Sequence, residues 1–167
     1  MWNNDNDNHV ILFFDLGTRK IKFQCIKPCF WIPPSVGCVM FCCDGAIIGN
    51  PGAAGFGVVI RDHLSQVLGV IIGGIGISTN YIAEVYAIIG AVELAIEWKL
   101  QNIILNSDSK TVITEFAENK MPWFVKMRWL KEVSKIQSIT FWHNLREVKY
   151  AADTAAKRGI KLAAGQR

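Results

Sequence analysis

"VMFCCDGAIIGNPGAAGFGVVIRD", residues 39–62, decides how the rest of the chain is read. Its first five residues are apolar without alternation, the pattern of a strand buried on both faces, and they meet Asp44-Gly45 abruptly. A strand is therefore expected over 39–44, finishing on a carboxylate. Gly49-Asn50-Pro51-Gly52 carries turn chemistry, which predicts a turn over 49–55 and a second strand over 56–62. After a break at 61–65, a glycine-punctuated, β-branched run predicts a third strand over 66–74. Three strands with short links make an antiparallel meander.

Beyond the meander the period lengthens. Ile82, Val85, Tyr86, Ile89, Val92 and Ile96 form one stripe of a helix over 82–99, with Glu93 and Glu97 turned away. Then follow a strand at 102–108, a helix at 109–118, a helical stretch at 122–136 opened by Pro122, a strand at 139–143 and a helix at 148–158 ended by Gly159. The order βββαβααβα implies an α/β fold, a mixed five-stranded sheet with helices on both faces. Residues 1–30 are expected to be a poorly ordered lead-in, 31–160 the domain and 161–167 a tail.

The 167 residues suit one core, and no stretch reaches the ~18 apolar residues of a membrane span. The Asn/Asp-rich start lacks a basic segment before its short apolar patch, so a secretory signal is not expected. An intracellular setting follows, cytoplasm or nucleus, with no membrane partner and a monomer as the expected state. Charge is uneven: residues 1–119 carry seven Lys/Arg against eleven Asp/Glu, and 120–167 carry eleven against three. A basic last third suits a polyanionic partner such as nucleic acid, and a solvated basic face gives the same count. Cys25, Cys29, Cys38, Cys42 and Cys43 loosely imitate a zinc site, but Cys42 and Cys43 sit inside an apolar strand, where cysteine packs as a small hydrophobe.

Four carboxylates occupy comparable points of this skeleton. Asp44 ends the first strand, Glu84 opens the long helix on an alanine-rich face with Ala87, Ile88, Ala91 and Ala95, Asp108 ends the fourth strand, and Asp153 lies early in the last helix. Ligands of open sheets gather beyond the carboxyl ends of central strands, where these four would meet. Such a cluster is tolerable if hard divalent cations neutralise it, and two ions roughly 4 Å apart suit phosphodiester hydrolysis. Each residue also has a plain structural alternative: a turn at Asp44-Gly45, a helix cap at Asp108, a helix-dipole contact at Glu84, and an ion-pair ladder of Asp153 with Lys149 and Lys157.

The segment from Trp31 to Gly159, about three-quarters of the chain, resembles the plant-type ribonuclease H domain found with retroelement reverse transcriptases. "WIPPSVG", "DGAIIGNPGAAGFGVVIRD", "AEVYAI", "NSDS" and "HNLREVKYAADTAAKRG" carry the resemblance by their order and spacing. It implies hydrolysis of the RNA strand of RNA–DNA hybrids to 5′-phosphate and 3′-hydroxyl ends. Asp44, Glu84, Asp108 and Asp153 would hold two Mg2+, with Mn2+ as a substitute, and His143 would assist proton transfer or product release. Gly45, Asn50, Thr79 and Asn80 resemble positions that touch the hybrid, where 2′-hydroxyls and phosphates are read rather than bases. Lys126, Arg128, Lys131 and Lys135 are placed to reach phosphates, although Trp123, Trp129 and Leu130 between them read more readily as core.

The chain departs from the family pattern at Lys149, where asparagine is usual, and at Thr154-Ala155, where larger apolar residues are expected to pack. Lys149 is suited either to pairing with Asp153 in competition with a second metal or to contacting a phosphate. Two rivals therefore stand beside the active nuclease. One is a catalytically silent nucleic-acid-binding domain. The other is a related fold with a different substrate, such as an exonuclease, against which the Asp-Gly first motif speaks.

Overall fold

The structure, a computed structural model, describes Phe13 and residues 31–144 and 150–167. The expected lead-in, Cys25, Cys29 and Lys149 lie outside the described residues apart from Phe13. The elements are β1 (Val39–Gly49), β2 (Gly52–Arg61), β3 (Val67–Ser78), α1 (Asn80–Glu97), β4 (Asn102–Ser107), α2 (Lys110–Ala117), α3 (Trp123–Val133), β5 (Ser138–His143) and α4 (Tyr150–Gly159). They form one mixed sheet in the order β3-β2-β1-β4-β5. β1 is antiparallel to β2 and parallel to β4, β2 is antiparallel to β3, and β4 is parallel to β5.

The unbroken apolar run of β1 follows from its central place. Phe41 and Cys43 enter the core beneath α1, whereas Met40 and Cys42 pack on the opposite face with Ala152 and Ala155 of α4. Covered on both sides, the strand has no solvent face on which to alternate. Cys42 and Cys43 are buried on opposite faces of the sheet, so the two cannot ligate one ion together.

Two expectations about this strand need correction. Asp44 does not end β1, which continues to Gly49 as one arm of a hairpin, and the turn is not seven residues long but closes tightly through Asn50-Pro51, with Gly49 opposite Gly52. Residues 52–55 looked like turn because they are small; they are strand because they pair with β1 on one side and β3 on the other, and Gly55 and Gly57 are small where the end of α4 presses on β2. A Cβ at Gly55 would stand 2.2 Å from the Ile160 backbone nitrogen, and one at Gly57 would stand 2.3 Å from that of Ala156. The small Ala155 is part of this close approach, since its Cβ would be 2.7 Å from the same added atom on Gly57.

α1 is capped by Thr79, whose Oγ1 accepts the Ile82 N–H at 3.4 Å, and it buries Ala83, Glu84, Val85, Ala87, Ile88 and Ala91 against the sheet. Against α1 packs α3, which differs from expectation. Val125 and Trp129 are its buried residues, with Trp129 edge-on to Phe116 at 4.8 Å, whereas Trp123 is 86% exposed and Leu130 is also exposed. The tail folds back on β3: Gly165 N–H donates to the Gly74 carbonyl at 2.9 Å, and Gly74 N–H to that of Gln166 at 3.0 Å. No helix among the described residues is long and apolar enough to cross a membrane.

Candidate active site

The parallel seam between β1 and β4 brings two acids together by register alone. Cα pairing runs from Val39 with Ile103 to Cys43 with Ser107, and β4 then stops. The next residue after each paired segment is an acid, Asp44 on β1 and Asp108 just past β4. Asp44 therefore lies in mid-strand, yet at the carboxyl end of the parallel seam, the position where open sheets collect ligands.

Glu84 arrives from α1, on a turn of helix that nearly touches β1. A Cβ on Gly45 would stand 2.5 Å from the Glu84 backbone nitrogen and 2.9 Å from Ala83 Cβ, so only glycine at 45 lets the helix come this close. Asp44, Glu84 and Asp108 each offer a carboxylate oxygen lying within 4.8 Å of those of the other two. Asp44 and Glu84 are buried, at 1% and 5% exposure, which is unusual for acids that form no more than surface decoration.

The plain structural alternatives fail for these three. No turn occurs at Asp44, which pairs with Gly57 across the hairpin. Glu84 lies beyond the first turn of α1, which holds no acid. The N-cap of α2 is Ser109 rather than Asp108. For Asp153 the alternative is half present: it is buried on α4, stands outside the three-carboxylate group, and accepts a hydrogen bond from Lys157 Nζ at 2.6 Å. The Lys149 half of that ladder lies outside the described residues.

His143, the last residue of β5, is exposed and beside the cluster. Its Nε2 stands 3.0 Å from the Asp108 carbonyl oxygen, which can only accept, so this nitrogen carries the proton. Gly45 is buried beneath α1. Asn50 is exposed at the hairpin tip, Thr79 is half-buried and spends its hydroxyl on the helix cap, and Asn80 is exposed at the first helical position. Gly52 pairs with Ser78, so the tip and the start of α1 stand side by side at one end of the strands. Sequence reasoning missed Ser107, a fully buried hydroxyl 3.4 Å from Glu84 Oε2. A small polar residue flanking an acid was its only signal.

Residues 42–159 match a family model described as reverse transcriptase-like. A ribonuclease H of Vibrio vulnificus is 33% identical over 129 residues, covering 74% of this chain and 77% of that protein. The chain belongs to the ribonuclease H family. A protein of Arabidopsis thaliana provisionally named a ribonuclease H is 28% identical over 139 residues, 81% of this chain, which spans 22% of the Arabidopsis protein's length. Together these relatives mark the domain as ribonuclease H-like and of the plant and retroelement type. Among solved structures, the ribonuclease H1 of the archaeon Halobacterium salinarum aligns with a TM-score of 0.67 at 26% identity, covering 76% of this chain and all of that one. A compost-derived ribonuclease H1 solved in complex with an RNA/DNA hybrid aligns at 0.63 and 26%, covering 73% and 96%.

The ribonuclease H-like site has a donor set of carboxylate oxygens alone, with no sulfur or imidazole in the three-residue group. Such a set fits a hard divalent cation and suits zinc poorly. Three acids this close repel one another, and a cation between them turns that repulsion into binding energy.

Proposed function

We propose that this chain is a metal-dependent endonuclease that hydrolyses the RNA strand of RNA–DNA hybrids, working with two Mg2+ ions. The observation that carries the proposal is the three-carboxylate group of Asp44, Glu84 and Asp108 at the end of the β1–β4 seam. In this reading Asp44, Glu84, Asp108 and Asp153 would hold the two ions between them, and Mn2+ would substitute for Mg2+. Bound there, the cations supply positive charge against the scissile phosphate and lower the pKa of the attacking water. Water adds to phosphorus, the bond from phosphorus to O3′ breaks, and the products carry a 5′-phosphate and a 3′-hydroxyl. His143, exposed and tied to the Asp108 carbonyl, passes a proton between the site and bulk water.

Substrate recognition falls to the end of the strands marked by Asn50, Thr79 and Asn80, where an amide can meet the 2′-hydroxyls of RNA and a backbone or hydroxyl group a phosphate. Base identity plays little part in this reading, so affinity falls with salt and sequence preference is low.

A second reading, a silent hybrid-binding domain, is favoured by one feature. Asp153 accepts a hydrogen bond from Lys157 and is not in the three-carboxylate group. The experiment that tests the proposal is cleavage of a labelled RNA–DNA hybrid by the purified chain in Mg2+, beside single-stranded RNA, duplex DNA and an EDTA control. The proposal requires cleavage of the hybrid's RNA alone, lost with EDTA. Tight hybrid binding without cleavage in Mg2+ or Mn2+ would favour the silent domain.

A further inference from the structure

We propose that Ser107 is a positioning residue for Glu84: its hydroxyl is locked by the backbone and donates to the Glu84 carboxylate, holding that carboxylate in the cation site. The inference rests on the cation-binding reading above and assigns a task to a residue outside the acidic set.

Ser107 closes β4 and is fully buried. Its Oγ accepts the Ser109 N–H at 3.1 Å, which engages a lone pair and leaves the hydroxyl proton to find another acceptor. Glu84 Oε2, at 3.4 Å, is that acceptor. The separation is long for an O–H···O hydrogen bond, so the contact is a loose one. A buried hydroxyl is costly without an acceptor, so the contact constrains both partners.

The same hydrogen bond from Ser109 closes the turn that presents Asp108, because 108 lies between the two serines. Ser107 thus couples two acids of the cluster, one through the backbone and one through the side chain. The contact narrows the rotamers open to the Glu84 carboxylate, a cost that the cation would otherwise meet. Groups that hold metal ligands in place typically change metal affinity 10–100-fold when removed.

The test is Mn2+ binding to the full chain, followed by the loss of the free-ion EPR signal, for wild type, Ser107→Ala, Ser107→Thr and Glu84→Gln. The expected result is binding weakened about tenfold in Ser107→Ala, near wild type in Ser107→Thr, which keeps the hydroxyl, and weakest in Glu84→Gln. If Ser107→Ala lowers Tm but binds Mn2+ as wild type does, Ser107 is structural only and the inference is overturned while the cation site stands. A wild-type chain that binds no Mn2+ overturns both.

Discussion

Glu84 and Glu93 lie on the same helix and do opposite things with their charge. Glu93 is half-buried between two guanidinium groups: Arg128 of α3 donates to its Oε1, and Arg167 donates to its Oε2 at 2.6 Å. Burial pushes the Glu93 carboxyl up, but the arginine hydrogen bonds outweigh it and hold the group below the usual carboxylate range. Glu84 instead is massed with Asp44 and Asp108. An acid balanced by the chain's own arginines ties elements together, here α1 to α3 and the tail. Acids gathered with like charges put electrostatic strain into the fold and call for a cation from outside.

The contrast breaks most visibly in activity. Asp44→Asn is expected to lower Mg2+-dependent hybrid cleavage more than about a hundredfold, because the interaction it removes is worth several kcal/mol at the phosphate. The same substitution should leave the metal-free protein as stable as wild type or more so, since it relieves repulsion; a thermal melt in EDTA checks this. A large drop in Tm would mean that Asp44 serves the fold rather than the site.

Next in size are changes to the packing that frames the two glutamates. Trp129→Ala empties a fully buried ring position beside Phe116 and should cost about 3–5 kcal/mol in urea unfolding. Gly57→Val drives a side chain into the α4 backbone and should cost about 3 kcal/mol, with hybrid cleavage reduced because Asp153 rides on that helix. If Gly57→Val keeps full activity, the close seating of α4 is not what sets the Asp153 position.

The smallest effect belongs to Glu93. Glu93→Gln should lower Tm by about 2–4 °C at neutral pH, the yield of two partly exposed pairs worth together about 1 kcal/mol. Because the folded pKa is depressed, this stability is present above the ordinary carboxylate pKa and is lost as pH falls through the folded value. Melts of the two proteins should therefore converge on acidification. A gap that persists at low pH would assign the effect to packing.

Much of this was legible in the chain. The element order was readable because the period switches cleanly from strands to helices; four acids were expected to meet because each sat where an ordinary surface charge is out of place, and three of them form one group. What could not be read depends on partners distant in sequence. Gly52 to Gly55 imitate a turn until their pairing with β1 and β3 is seen, and Gly55 is small because the end of α4 rests on it. Trp123 and Trp129 look alike in sequence, and only the packing of α3 on one side separates an exposed ring from a core one. The Ser107 hydroxyl could not be aimed from sequence, since its direction is set by Ser109 N–H and by a glutamate on another element.

The central claim is that Asp44, Glu84 and Asp108 together hold a divalent cation. Crystals of the chain soaked in Mn2+ and measured for anomalous scattering test it most directly. A peak is expected within coordinating distance of all three carboxylates, absent in Asp44→Asn. A site empty at saturating Mn2+, or an ion bound elsewhere with these acids unengaged, would contradict it.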